Sequence, residues 1–163
     1  MDSQDNVWVA NSGGVPIGSV VCGSPRTPGG APSVTEISRD GRRLRSFTGG
    51  GQTIPWGIAV DGNDNIWVAN FEGQRLTELC GSRPSNCPPR HNTGDAISPE
   101  AGYSFDGLTR NTGVAIDPSG NVWLANNWLN VPLQTDPGGH ELVVFIGLAA
   151  PVKAPLIGPP EQP

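Results

Sequence analysis

Several residue types are scarce in this 163-residue chain, and each scarcity excludes a class of protein. Only 10 residues are Lys or Arg against 15 Asp or Glu, so the net charge of −5 leaves no basic surface of the kind that binds nucleic-acid phosphates. No apolar run approaches the ~18 residues of a membrane-spanning helix. No window of about ten residues keeps apolar side chains at helical spacing without Gly or Pro, which excludes a predominantly helical domain.

Cysteine is scarce as well, and the three present are Cys22, Cys80 and Cys87. Cys80 and Cys87 bracket a short Pro-containing loop, for which we predict a disulfide; three free thiols in a reducing compartment are the alternative. The pairing of Cys22 is left open. Zinc is not expected, because three cysteines and two distant histidines lack paired ligand spacing. The predicted disulfide favours an extracellular or periplasmic location, although the N-terminus has no signal peptide, which a sequence beginning late in its gene would also lack.

Gly and Pro, in contrast, are abundant, and their 23 and 17 residues make up about a quarter of the chain. Between them lie short runs rich in Val, Ile and Leu, and hydrophobic residues amount to 36%. Short apolar runs separated by turn residues are typical of an ordered all-β protein.

One seven-residue sequence motif occurs three times along the chain. The copies are DNVWVAN at 5–11, DNIWVAN at 64–70 and GNVWLAN at 120–126. Their tryptophans, which are Trp8, Trp67 and Trp123, stand 59 and 56 residues apart. The second and third copies extend backward as WGIAVDGNDNIWVAN and TGVAIDPSGNVWLAN, in which an apolar strand, a Gly/Asn or Pro/Ser/Gly turn and a Trp-bearing strand predict a β-hairpin.

A further strand is predicted after each hairpin. The segments are SVTEIS at 33–38, RLTELC at 75–80 and HELVVFIG at 140–147. In the first copy a turn then leads to RRLRSFTG at 42–49, in which alternating Arg and Leu indicate an outer, half-solvated strand. The repeating unit is therefore predicted to be a four-stranded antiparallel meander, which is typical of a propeller blade.

These motifs resemble a known family. The segment GIAVDGNDNIWVANFEGQRLTEL at 57–79 resembles an NHL repeat, GVAIDPSGNVWLANN at 113–127 is a second match, and DNVWVAN is a partial third. The Trp form also resembles virginiamycin B lyase-like and gluconolactonase-like propellers. The resemblance covers roughly half of the chain, and it implies a propeller architecture more strongly than any activity, because the matching residues build hairpins and pack blades.

We therefore predict an all-β fold: a partial β-propeller of about three four-stranded antiparallel blades with long Gly/Pro-rich insertions. The propeller segment covers 1–147, and a Pro-rich C-terminal arm covers 148–163. Within it we expect blade 1 at about 1–50, without its first strand, blade 2 at about 54–110 and blade 3 at about 111–147. Three blades do not close a ring, so the apolar sides of the end blades need cover. Either the chain is the C-terminal part of a longer propeller, or copies associate end to end.

Few polar residues are candidates for a site. Alternating oxygen ligands make Asp61, Asn63 and Asn65 weak candidates for a metal, although a tight hairpin turn uses the same residues. A second set, Asn11, Asn70 and Asn126, occupies one position in each blade and would lie on one rim. There the three asparagines would either line a polar site or bind loop backbone.

No catalytic residue is identified. The resemblance to streptogramin-lyase-like propellers, which use a histidine beside magnesium, draws attention to His91 and His140, but neither lies in a transferable motif, and we favour a solvated loop and a strand edge, respectively. Trp128, which heads an insertion, either contacts a sugar or protein partner or packs over its own loop.

The function expected from the sequence is a non-enzymatic extracellular scaffold or binding module able to self-assemble through open blade ends. Its partners would be other copies, the missing blades of a longer chain, or glycans. No cofactor is expected, with calcium and magnesium as the candidates if one binds. The alternative is a lyase or lactonase-like enzyme, which by its resemblance would carry a divalent metal in the central channel on Asn, Asp and Glu ligands.

Overall fold

The computed structural model describes residues 1–13, 31–126 and 141–152. The strands are β1 (Val7–Asn11), β2 (Ser33–Ile37), β3 (Leu44–Phe47), β4 (Pro55–Val60), β5 (Ile66–Asn70), β6 (Leu76–Leu79), β7 (Gly113–Ile116), β8 (Val122–Asn126) and β9 (Glu141–Phe145). A single turn of 3₁₀ helix covers Pro84–Asn86, and no helix in the described ranges is long and apolar enough to cross a membrane. The predicted all-β class is confirmed.

The strands form three separate antiparallel sheets in chain order, β1-β2-β3, β4-β5-β6 and β7-β8-β9, which we call blades 1, 2 and 3. In blades 2 and 3 the Trp-bearing strand is central, with the predicted first strand on one side and the predicted third strand on the other. In blade 1 the Trp-bearing β1 pairs with β2, and β2 pairs with β3. The arrangement is that of a partial β-propeller.

The strand count differs from the four strands expected in each blade. Blade 1 has the predicted outer strand as β3, but the described part of blade 2 continues β6 only through two isolated bridges, from Leu79 to Ala96 and from Leu76 to Tyr103. The insertion that supplies these bridges contains four prolines, which offer no N–H for a ladder. The outer edge of blade 2 is therefore covered by a loop in place of a regular strand.

The blades pack side by side because each strand alternates its side chains between two faces. The face of blade 1 that bears Trp8 and Val34 packs on the face of blade 2 that bears Ile66 and Val68. The opposite face of blade 2, which bears Trp67 and Leu76, packs in the same way on blade 3. The blade 3 residues at this junction include Val122, Leu124 and Val143. A Trp-bearing face thus meets an aliphatic face at both junctions.

A carboxylate clasp at the hairpin turn positions each tryptophan. In blade 2 one oxygen of Asp61 accepts the backbone N–H groups of Asn63 and Asn65, both at 2.9 Å. The other accepts the indole N–H of Trp67 at 3.0 Å. The same clasp joins Asp2 to Trp8 at 2.7 Å and Asp117 to Trp123 at 2.9 Å. A single side chain therefore closes the turn and sets the rotamer of the large core residue.

The clasp is expected to contribute most to the free energy of unfolding where the Trp is enclosed between two blades. Trp67 is 0% exposed and Trp123 is 39% exposed. The substitution Trp67→Phe removes a buried charge-assisted hydrogen bond and leaves a void, so we expect a loss of about 2–3 kcal/mol in the free energy of unfolding. The matched variant Trp123→Phe should lose less than half as much. Urea unfolding at sub-micromolar protein measures both losses, and equal losses would contradict the packing described here.

Candidate functional site

The three repeated asparagines lie at one end of the sheets, which we call the asparagine end. The amide oxygen of Asn70 accepts the backbone N–H of Thr53 at 2.9 Å, and its NH₂ group donates to the hydroxyl of Thr77 at 3.1 Å. In blade 3 the amide oxygen of Asn126 accepts the N–H of Thr109 at 2.7 Å. Each buried asparagine thus holds the segment that leads into the first strand of its own blade.

Asn11, the third member of the set, has different partners. Its NH₂ group donates to the hydroxyls of Thr35, at 2.8 Å, and Ser33, at 3.3 Å, and so ties the end of β1 to β2. A cation would need the amide oxygens of the set, but two of the three accept backbone N–H groups. The amide oxygens of Asn70 and Asn126 thus serve to hold backbone, and a polar rim site stays a prediction.

The turn residues proposed as weak metal candidates have hydrogen-bond partners within the protein, and their role as metal ligands stays a prediction. Both carboxylate oxygens of Asp61 accept N–H donors, including the backbone N–H of Ala150 at 3.2 Å. Asn65 directs its NH₂ group to Glu78 at 3.2 Å, whereas Asn63 contributes only its backbone N–H to the clasp. Within the described ranges no group of three or more His, Cys, Asp or Glu side chains could hold a metal ion.

The predicted disulfide is present. Cys80 and Cys87 are bonded, with their Cα atoms 5.7 Å apart, and Cys80 is fully buried at the end of β6. His91 lies in the same insertion, with its Nδ1 atom 3.1 Å from the carbonyl of Pro88. Cys22, Trp128 and His140 lie outside the described residues.

The opposite end of the sheets, which we call the turn end, holds the three clasp aspartates. A signal for them exists in the sequence, because an Asp stands six residues before each repeated Trp. The indole of Trp123 and the amide groups of Asn121 lower the pKa of Asp117 to about 2. Burial has the opposite effect at Asp61 and raises its pKa, because the chain around Ala150 covers that turn.

Asp61 belongs to a buried acidic cluster with Glu78. The Glu78 carboxylate, which is 6% exposed, accepts hydrogen bonds from the hydroxyl of Tyr103 at 2.9 Å and from Asn65 at 3.2 Å. Burial and, to a lesser extent, the nearby charge of Asp61 together raise the pKa of Glu78 to about 7, against the opposing effect of these donors. Burial and the Glu78 carboxylate likewise raise the pKa of Tyr103. Glu78 is thus a buried carboxyl group whose pKa lies near neutral pH.

A group of aromatic and charged side chains lies at the asparagine end beside β4 and β7. The rings of Trp56 and Phe71 have centroids 4.4 Å apart, and Trp56 is 42% exposed. The guanidinium of Arg110 lies 5.0 Å above the Phe71 ring and pairs with Glu72 at 3.2 Å. The Nε of Arg110 and the side-chain oxygen of Asn111 are buried without a hydrogen-bond partner among the described residues.

Apolar side chains are exposed on the outer faces of the two end blades. We call the outer side of blade 1, with Val7 at 41% and Val9 at 37% exposure, the first end face. The outer side of blade 3 is the last end face, and its exposed residues are Trp123, Leu142 and Val144 at 39%, 72% and 37%. The corresponding residues of blade 2, among them Ile66, Val68 and Trp67, are 0% exposed.

Comparison with known proteins defines the class of this fold. Residues 53–79, which span β4 to β6 of blade 2, match the NHL repeat family. The predicted resemblance of this segment to an NHL repeat is confirmed.

Two matches show how much of a known protein this chain covers. The chain is 27% identical over 94 residues to peptidyl-alpha-hydroxyglycine alpha-amidating lyase 1 of Drosophila melanogaster; the match covers 58% of this chain and 17% of the lyase. The chain thus spans under one fifth of the length of that relative. A crystal structure of a protein assigned as a gluconolactonase aligns with a TM-score of 0.43 and 14% identity over 78% of this chain and 40% of the other.

The buried acidic cluster predicts a pH-dependent stability. The usual pKa of Glu78 is 4.5 and its folded value is about 7, so the folded state holds a proton that the unfolded state releases between these values. The free energy of unfolding therefore falls as pH rises from 4.5 to 7 and stays lower above pH 7. Because an amide does not ionise, Glu78→Gln should be more stable than the parent chain at pH 8, on the order of 2 kcal/mol, and nearly equal to it at pH 4.5.

Denaturant midpoints measured from pH 4 to 9 check this profile. Glu100→Gln is the control, because Glu100 is exposed in the blade 2 insertion that also supplies Tyr103. This substitution should leave the pH profile of the parent chain unchanged. A Glu78→Gln profile parallel to that of the parent chain would contradict the assignment.

Proposed function

We propose that this chain is a non-enzymatic binding module of an extracellular propeller scaffold. It binds by stacking its two end faces on the blades of another polypeptide. The partner that fits is a second copy of the chain. The observation that carries this proposal is the contrast in exposure between equivalent residues. Trp67 of blade 2 is 0% exposed because blade 3 covers it, whereas Trp123 is 39% exposed.

The chemistry of the two end faces supports a head-to-tail contact. At each internal junction a Trp-bearing face, of blade 1 or of blade 2, packs on an aliphatic face of the next blade. The last end face is Trp-bearing, and the first end face is aliphatic. A last end face placed on the first end face of another copy would therefore repeat the internal junction. Contacts of this heterologous kind form rings or filaments according to the rotation between copies.

An extracellular setting is supported by the disulfide. The bond between Cys80 and Cys87 closes a loop of the blade 2 insertion, and structural disulfides of this kind persist in oxidising compartments. The net charge of −5 also suits a protein that stays soluble while it exposes apolar faces.

Two single substitutions separate the faces. Leu142→Glu places a charge on the last end face, and Val9→Glu places one on the first. Both side chains are already exposed, so we expect both variants to fold and to be monomeric, because burying an unpaired carboxylate opposes docking. The parent chain should form oligomers at micromolar concentration, as measured by analytical ultracentrifugation.

Mixing the two variants gives the decisive measurement. Each retains one intact face, so an equimolar mixture should form 1:1 dimers that grow no further. Ser85→Glu, which adds the same charge to an exposed position of blade 2, is the control and should assemble like the parent chain. A parent chain that stays monomeric, or a variant mixture that does not dimerise, would contradict the proposal.

A second candidate function is a lyase acting on a peptidyl-alpha-hydroxyglycine, as the name of the Drosophila relative suggests. It is favoured by the buried, unpartnered Nε of Arg110 and amide oxygen of Asn111, which a polar substrate could satisfy at the asparagine end. Mass spectrometry of an α-hydroxyglycine peptide incubated with the chain, with and without calcium or magnesium, tests it. Amidated product that disappears with Arg110→Ala would support this candidate over the scaffold.

A further inference from the structure

A polar cleft opens at the turn end, and none of the residues that define the end faces or the asparagine end lines it. It has a volume of about 630 Å³, within the range of small-ligand sites. Its walls are the first hairpin turn of blade 1, the turn between β2 and β3, and the start of the blade 2 insertion. Arg83 is the lining residue that blade 2 contributes, so the cleft reaches across the junction between the two blades.

The cleft concentrates positive charge in an acidic protein. Four arginines line it, whereas the acidic side chains that line it are Asp5 and Asp40. The arginines are Arg39, Arg42, Arg43 and Arg83. Arg42 has only a loose ion pair of 4.0 Å with the exposed Asp40, and neither Arg39 nor Arg43 lies within 4.0 Å of a carboxylate in the described part of the chain. Arg43 also interacts electrostatically with Asp40, so this one carboxylate offsets only part of the positive charge that Arg39, Arg42 and Arg43 offer to an anion.

One wall of the cleft is held rigidly. Arg83 pairs with the buried Asp64 at 3.0 Å, and the same carboxylate accepts the backbone N–H of Ser3 at 2.9 Å. The backbone at Gly81, two residues before Arg83, packs closely against the backbone at Asp64. A Cβ atom at Gly81 would lie 1.6 Å from the carbonyl oxygen of Asp64. This arrangement joins blade 1 to blade 2 and keeps the opening in place without a ligand.

The remaining lining groups indicate what else the ligand contains. Gln4 and Asp5 stand on the turn that faces the arginines, and they offer an amide and a carboxylate that suit sugar hydroxyls. None of the residues lining the cleft is aromatic, so it has no stacking platform for a nucleobase or an apolar ring. Planar guanidinium groups match a carboxylate by two parallel hydrogen bonds.

From this combination we infer that the cleft binds an acidic saccharide, with a uronate carboxylate on Arg39 and Arg43 and its ring hydroxyls on Gln4 and Asp5. This inference does not depend on the assembly of end faces or on the lyase candidate, because neither uses these residues.

The test is isothermal titration of the parent chain with trigalacturonate. Neutral galactotriose and inorganic phosphate serve as separate probes. We expect trigalacturonate to bind, galactotriose to show no binding, and phosphate to bind at least tenfold more weakly because it lacks the sugar hydroxyls. Raising the salt concentration from 0.05 to 0.5 M should weaken trigalacturonate binding, as expected for exposed charges.

The double variant Arg39→Ala/Arg43→Ala should lower the affinity at least about tenfold, since each charge-assisted hydrogen bond is lost from the ligand. Arg75→Ala/Arg90→Ala removes the same charge from positions outside the cleft and is the control, expected to bind like the parent chain. Circular dichroism confirms that each variant is folded. No binding of trigalacturonate, equal binding of phosphate, or equal losses in both double variants would overturn the inference.

Discussion

The contact on which the rest of this structure depends is the hydrogen bond from a tryptophan indole to an aspartate six residues earlier. The aspartate has one oxygen for the hairpin turn and one for the indole, so it fixes the turn and the side chain together. Without the carboxylate, the turn N–H groups and the indole N–H would each need another partner within a largely apolar junction. Because the bond forms within a single hairpin, it specifies each blade locally before any neighbour is in place.

The environment of that bond is set by the neighbouring blade. Trp8 and Trp67 are covered, at 5% and 0% exposure, because a blade follows each of them, whereas Trp123 is 39% exposed on the last end face. The clasp aspartates differ as well: hydrogen bonds lower the pKa of Asp117, whereas burial under the chain around Ala150 raises the pKa of Asp61. Similar local motifs thus acquire different surroundings from their place in the fold.

The polar residues that recur with the motif hold backbone segments and turns in place. Asn70 and Asn126 bind the backbone N–H groups of Thr53 and Thr109, and the turn oxygens of Asp61 accept N–H donors. The surfaces that we propose for recognition are the apolar end faces, whose counterparts inside the row are buried, and the arginine-lined cleft. This separation allows binding surfaces to differ while the blade itself stays the same.

The sequence by itself determined the blades. Tryptophan phrases, turn residues and strand alternation are local signals, and from them the all-β class, the hairpins, the outer strand β3 and the pairing of Cys80 with Cys87 could all be predicted. The outer edge of blade 2 was not predictable, because a proline-containing insertion supplies bridges from Ala96 and Tyr103 that no pattern announces. Only the tertiary structure decided that Glu78 is buried beside Asp61, and that Arg83 meets the turns of blade 1. The first outcome depends on the blade 2 insertion, which brings Tyr103 onto Glu78, and the second on a contact between blades 1 and 2. Side-chain periodicity within a strand carries no information about either contact.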